Sequence, residues 1–127
     1  MITKTLAALT AALWSLASLA QSMPQSQNCI SLLMLDHTDV IDDKTILFHM
    51  KDDTIFRNTL PLSCPSLDFE DAFLYRVALN QLCDTDVITV ILNAGFGLMP
   101  GSSCGLGKFV RISEDQAKAL IAEDAAD

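Results

Sequence analysis

Residues 45–60, with the sequence TILFHMKDDTIFRNTL, give the clearest structural signal in the chain. Apolar and polar side chains alternate along 45–50, which is the two-residue period of a strand with one buried face. A polar turn follows at 51–53, and 54–60 returns as a second apolar strand. The stretch therefore predicts an antiparallel hairpin.

Further strand-like segments lie on both sides of this hairpin, at 29–35, 73–79, 87–92 and 108–112. The segment 87–92, VITVIL, is β-branched and apolar at nearly every position, which predicts a central strand buried on both faces. Residues 36–43 mix turn residues with two apolar ones, and 66–73 is expected to contain one short helical turn. Residues 93–107 hold all five glycines and are predicted to form a long loop.

A helix is predicted to close the chain. Ser113 and Gln116 have the spacing of a capping box, in which each residue satisfies a free backbone N–H of the other. Ala117, Leu120 and Ile121 then form a narrow apolar stripe for packing on the sheet. The sequence thus predicts a mainly β protein. It is expected to be a small single domain with an antiparallel sheet or half-open barrel, one C-terminal helix and disulfide bonds.

The N-terminal residues have the three parts of a secretory signal peptide. Lys4 supplies a positive charge, residues 6–20 are uncharged and apolar or small, and small residues precede a cleavage site after Ala20. The run is shorter than the roughly 20 residues of a spanning helix, so no stable membrane span is expected after cleavage. The predicted organisation is a signal peptide at 1–20, a flexible leader at 21–28 and one β-rich domain at 29–127.

The four cysteines, Cys29, Cys64, Cys83 and Cys104, all follow the predicted cleavage site. An even number of cysteines in a small exported domain predicts disulfides. Four cysteines allow three pairings. We favour Cys64–Cys83 with Cys29–Cys104, because the first closes a local loop and the second ties the start of the fold to its end. No C-x-x-C pair supports a zinc site.

The composition is acidic, with 16 Asp and Glu against 8 Lys and Arg and a net charge of −8. Nucleic acid is excluded as a partner, because phosphate binding needs a basic face. The sequence favours a non-enzymatic periplasmic or secreted domain that binds an unidentified protein partner or small ligand and needs no cofactor. The candidate surface is formed by Phe96, Leu98 and Met99, and the alternative is that these three side chains fill the core beneath their loop.

Two other functions stay open. One is a small hydrolase-like enzyme that uses His37 or His49 with neighbouring acids. The other is an acidic divalent-ion binder, for which Asp36, His37 and Asp39 are weak candidates; the oxygen ligands and glycine of an EF-hand loop are not present. His49 is interpreted as a surface or half-buried side chain rather than a ligand. No catalytic residues are assigned, because no nucleotide-binding loop or serine-hydrolase elbow is present.

The chain resembles DUF6491, a family of small exported bacterial proteins of unknown function. The matching segments are Cys29 with the strand after it, VIDDKTILFHM (40–50), FRNTLPLSCPSL (56–67), NQLCDTDVITV (80–90) and SSCGLGKFVRI (102–112). Cysteines anchor several of these segments. The resemblance implies export and a compact β-rich fold, and it transfers no catalytic residues.

Overall fold

The computed structural model of the protein describes residues 25–126, so the predicted signal peptide lies outside the described residues. Between residues 25 and 126 the chain forms ten strands, two α-helices and one 3-10 helix. In chain order these are β1 (Ser26–Gln27), β2 (Cys29–Ser31), the 3-10 helix (Leu32–Met34), β3 (Leu35–Asp42), β4 (Thr45–Met50), β5 (Ile55–Thr59), α1 (Leu67–Glu70), β6 (Phe73–Tyr75), β7 (Gln81–Cys83), β8 (Val87–Asn93), β9 (Leu98–Gly105), β10 (Phe109–Ile112) and α2 (Glu114–Ala126). The predicted mainly β fold with one C-terminal helix is confirmed.

The strands form three antiparallel sheets. Sheet A has the strand order β1-β10-β5-β4-β3, sheet B pairs β2 with β7, and sheet C has the order β6-β8-β9. Part of the predicted leader, Ser26 and Gln27, belongs to sheet A through its pairing with β10. The architecture is therefore an assembly of open antiparallel sheets. Of the two predicted alternatives, an antiparallel sheet and a half-open barrel, it corresponds to the first.

The hairpin predicted at residues 45–60 is confirmed. Strands β4 and β5 pair antiparallel, with Phe48 opposite Phe56. The polar turn between them is stabilised by Asp52, whose Oδ1 accepts a hydrogen bond from the backbone N–H of Thr54 at 3.0 Å. One face of this hairpin is apolar and the other carries the side chains that reach helix α2, so the hairpin contributes to both cores of the protein.

The main core lies between sheet A and the other two sheets. Its aromatic centre is Phe109, which meets Phe48 and Phe56 edge to face with ring centroids 5.2 and 6.4 Å apart. Sheets B and C close this core from the opposite side with Ile30, Leu82, Ile88 and Val90. The alternation of buried and exposed side chains along the strands thus produces two apolar faces that bury each other.

Helix α2 covers the opposite face of sheet A. The capping box is confirmed, because the Gln116 N–H donates to Ser113 Oγ at 3.1 Å and the Ser113 N–H donates to Gln116 Oε1 at 2.9 Å. Ala117 and Leu120 pack on a second, smaller cluster made of Ile41, Leu47, Ile55 and Ile112. The cap therefore sets where the helix begins, and the stripe sets which face it turns to the sheet.

A buried amide fastens the segment before β10 to strand β5. The fully buried Asn58 donates from Nδ2 to the carbonyl of Gly107 and accepts at Oδ1 from the Gly107 N–H, both at 2.8 Å. A side chain at position 107 would collide with the carbonyl oxygen of Thr59, so this close approach requires glycine.

The cysteine pairing predicted from the sequence is wrong. The disulfides are Cys29–Cys83 and Cys64–Cys104. Strands β2 and β7 pair so that Cys29 lies directly opposite Cys83. Cys64, which follows β5, is buried in the main core beside Cys104 of β9. The prediction assumed that one disulfide closes a local loop and that the other joins the start of the fold to its end. It was wrong because the pairing of strands, rather than separation along the chain, decides which cysteines meet.

Several segment predictions are also corrected. Residues 29–35 are not one strand, since a 3-10 helix separates β2 from β3, and 73–79 is extended only at β6. Residues 36–43 form most of strand β3, and the predicted loop 93–107 contains strand β9. Acidic residues and glycines lower strand propensity, but hydrogen bonding to β4 and β8 overrides that local preference.

Strand β8 is the central strand of sheet C, as predicted, but it is buried on one face only. Ile88 and Val90 are fully buried, whereas Thr89 and Ile91 on the other face are partly exposed. Between residues 25 and 126, no helix is long and apolar enough to cross a membrane.

Candidate functional site

The candidate site lies on the α2-facing side of sheet A, at the edge formed by β3. His37 and Asp39 are two residues apart on this strand, so their side chains project from the same face. His49 of β4 lies directly opposite His37 in the antiparallel register. Cross-strand pairing therefore brings the two histidines of the sequence together with one carboxylate.

Three potential ligand atoms converge in this cluster, one each from His37, Asp39 and His49, and all lie within 4.8 Å of one another. Oδ2 of Asp39 is 2.7 Å from Nε2 of His49 and 3.9 Å from Nε2 of His37. A tetrahedral ion at zinc bond lengths places its ligand atoms about 3.3 Å apart. The observed distances lie on either side of that value, and the two rings are stacked in nearly parallel planes, so one imidazole must rotate out of the stack before both ring nitrogens can bind the same ion.

The two imidazole rings contact each other, and the ring of His37 also contacts Asp36. The rings of His37 and His49 stack with their centroids 4.1 Å apart and an interplanar angle of 9°. Nδ1 of His37 also lies 2.8 Å from Oδ2 of Asp36. A proton on Nδ1 that is donated to this carboxylate leaves the lone pair on Nε2, on the side of Asp39. Asp36 thus orients a ligand rather than joining the cluster.

His49 carries a buried polar atom without an aligned hydrogen bond. Its side chain is only 16 % exposed, and Nε2 is fully buried. The Asp39 oxygen is close to this nitrogen but does not satisfy the geometry of a hydrogen bond. Buried polar atoms rarely lack a partner in folded proteins. A cation held between this nitrogen and the carboxylate oxygen would satisfy both.

The cluster opens into a cleft of about 500 Å³ between sheet A and helix α2. Its apolar wall is formed by Ile55, Ala117 and Ile121. Its charged lining consists of the carboxylates Asp36, Asp39, Asp53 and Glu114 and the ammonium of Lys118. The excess of negative charge raises the local concentration of cations.

The predicted ion-binding residues are only partly brought together. His37 and Asp39 lie in the cluster, but its third potential ligand is His49 and not Asp36. His49 is mostly buried, and its position beside His37 was missed. Treating 36–43 as a strand paired with 45–50 could have found it, because that hairpin register places position 37 opposite position 49.

The three apolar residues proposed as a ligand surface lie near the turn between β8 and β9. Phe96, Leu98 and Met99 are 85, 73 and 44 % exposed, so they do not fill the core beneath the loop. Gly95 and Gly97 adopt positive φ angles of 82° and 149° there, which lets the chain reverse direction. This surface is apolar and carries no converging polar groups of the kind found in the histidine cluster.

Comparison of the chain with protein-family models, with curated proteins and with solved structures gives no significant match. The resemblance to DUF6491 therefore stays a prediction. Function must be inferred from the geometry of the site.

Proposed function

We propose that this protein is an exported, disulfide-stabilised, non-enzymatic domain that binds a divalent transition-metal ion through His37, Asp39 and His49. The observation that carries the proposal is the convergence of their ligand atoms within 4.8 Å. Two imidazoles and one carboxylate suit Zn²⁺, Ni²⁺ or Cu²⁺. Calcium is a poor fit, because it takes about six to eight oxygen ligands.

The disulfides support the exported location. Disulfides persist in oxidising compartments such as the periplasm or the medium, and all four cysteines are in disulfides. Their thiols therefore do not compete for the ion, and the proposed site depends on the histidine cluster alone.

The sequence favours a non-enzymatic domain that binds a protein partner or a small ligand, and we propose that the small ligand is this metal ion. The cluster supplies ligands and a negative cleft, and both support ion binding. Binding of a protein partner at the β8–β9 turn, where Phe96, Leu98 and Met99 are exposed, stays a second hypothesis, and exposure by itself does not identify that partner. The two functions use different parts of the molecule and do not exclude each other.

The test is zinc binding by the oxidised, signal-peptide-free protein, measured by titration calorimetry and thermal unfolding. Free Zn²⁺ at 100 times its Kd stabilises a folded protein by about 2.7 kcal/mol. For a domain of this size we expect the Tm to rise by about 10 °C or more. Calcium should leave the Tm unchanged, and a chelator should reverse the effect of zinc.

Three variants locate the site. His37→Phe keeps a ring that can stack on His49 but removes the ligand nitrogens, and Asp39→Asn keeps the shape of the side chain but removes its charge. Both should abolish the zinc response. Glu123→Gln, which removes one exposed charge from α2 outside the cleft lining, should preserve it. An unchanged Tm in the parent protein, or an equal response in His37→Phe, would contradict the proposal.

A further inference from the structure

We infer that the bound ion keeps one coordination position open to the cleft, and that this position takes the neutral nitrogen donor of a small, partly apolar molecule such as a substituted imidazole. This inference rests on the proposed metal binding and adds the chemical class of the second ligand. In the described part of the chain the cluster offers three ligands. Zinc sites with three protein ligands keep the fourth position for water or an exogenous ligand.

The charge of the cleft selects the kind of donor. The lining has four carboxylates against the single ammonium of Lys118, so a divalent ion still leaves one negative charge in excess. Lys118 is itself engaged, because its Nζ lies 3.3 Å from Oε1 of Glu114. An anionic ligand would add a further negative charge to this cleft, whereas a neutral nitrogen donor would not.

The shape and polarity of the cleft select the rest of the molecule. A volume of about 500 Å³ lies within the range of small-molecule pockets. Ile55 and Ala117 form a buried apolar floor, and Ile121 at the rim is 37 % exposed. An apolar body attached to the nitrogen donor would cover Ile121 and part of this floor. The expected ligand therefore combines a neutral donor with an apolar group.

The test compares 4-phenylimidazole, imidazole and benzoate as ligands of the zinc-loaded protein by titration calorimetry. We expect 4-phenylimidazole to bind about tenfold more tightly than benzoate, which corresponds to about 1.4 kcal/mol. It should also bind more tightly than imidazole, because imidazole lacks the phenyl group that would contact the apolar wall of the cleft. The metal-free protein should give no binding signal with any of the three compounds.

Two variants separate the contributions of charge and apolar contact. The double variant Asp53→Asn, Glu114→Gln removes two carboxylates from the lining. It should reduce the ratio of the affinity for 4-phenylimidazole to the affinity for benzoate. Ile121→Ser should reduce the advantage of 4-phenylimidazole over imidazole. Both variants keep His37, Asp39 and His49, so each should still bind zinc, and the double variant should bind it more weakly because its cleft is less negative.

The outcomes distinguish this inference from the proposed function. Absence of zinc binding in the first titration would overturn both. If zinc binds but benzoate binds as tightly as 4-phenylimidazole, or neither compound binds, the inference is wrong while metal binding stands. Zinc content after gel filtration completes the test, because loss of the ion with 4-phenylimidazole would show competition for zinc and would also overturn the inference.

Discussion

Two hairpins of this protein follow the same backbone rules but carry different chemistry. The β3–β4 hairpin forms the end of sheet A and the β8–β9 hairpin the end of sheet C, and each contains a register irregularity. In β3–β4, His37 faces His49 across the strands. In β8–β9, Thr89 faces Ser103, and their hydroxyl oxygens lie 2.9 Å apart.

The difference shows that a site depends on convergence more than on exposure. The β3–β4 hairpin places ring nitrogens and a carboxylate within reach of one ion, and Asp36 orients one of the rings. The β8–β9 turn exposes larger apolar side chains but directs no polar group towards a common point. Exposed apolar residues are common on protein surfaces, so exposure by itself assigns no ligand.

The short helix α1 connects the two hairpins. The backbone N–H of Asp68 donates to Oδ1 of Asp43, in the β3–β4 turn, at 3.0 Å. Oε2 of Glu70 accepts a hydrogen bond from the Asn93 N–H, at the end of β8, at 3.3 Å. Helix α1 therefore makes a hydrogen bond to each hairpin.

Removal of the disulfide that ties β9 to the segment after β5 is expected to destabilise the protein strongly. Cys64→Ala with Cys104→Ala opens a loop with a sequence separation of 40 residues. The chain-entropy model predicts that the free energy of unfolding falls by about 4 kcal/mol. Urea unfolding measures this loss. Zinc affinity of the folded variant should be unchanged, because the ligands lie on β3 and β4; loss of zinc binding by the folded variant would show that the two hairpins are not separable.

A smaller change in stability is expected from removing the negative charge of Asp68 on α1. Desolvation, together with the negative charges of Asp124 and Asp43, raises the pKa of Asp68 above its ordinary value of 3.8. The folded state then binds the proton more tightly than the unfolded state, so this group lowers stability as the pH rises from 3.8 through the raised pKa. Asp68→Asn should therefore raise the Tm at pH 7 and lose this advantage at low pH.

Asp52→Asn is the charge-matched control for this prediction. The hydrogen bond from the Thr54 N–H lowers the pKa of Asp52 below 3.8. Its contribution to stability is therefore present above pH 3.8 and is lost as the pH falls through the lowered pKa. Asp52→Asn should lower the Tm at pH 7, so thermal unfolding of the two variants across pH should give changes of opposite sign. A rise in Tm for Asp52→Asn would contradict the assignment for Asp52, and a fall for Asp68→Asn would contradict the assignment for Asp68.

The smallest effect is expected at the β8–β9 turn. Phe96→Ala and Met99→Ala remove largely exposed side chains, so each should change the free energy of unfolding by no more than about 0.5 kcal/mol. Chemical denaturation measures the change, and Phe48→Ala, at a fully buried position, is the comparison that should lose about 3–5 kcal/mol. A large loss at Phe96 would mean that the turn packs into the core.

The parts of the fold that sequence reasoning found share one property, which is that their signals are local. The hairpin at 45–60 has its strand period and its turn within one stretch, and the capping box joins Ser113 to Gln116 three residues later. The site was only half found. His37 and Asp39 are close in sequence, but His49 belongs to the next strand and joins them only through the β3–β4 register.

Local signals were enough to predict a mainly β protein, one capped helix after the last strand, and cysteines suited to disulfides. The pairing of the cysteines, the strand formed by most of the acidic segment 36–43, and the exposure of Phe96 became evident only in the folded chain. These features depend on contacts between residues that are far apart along the chain. Periodicity and caps act between neighbouring residues, whereas pairing across 40 or 54 residues depends on which strands share backbone hydrogen bonds and bury their apolar faces together.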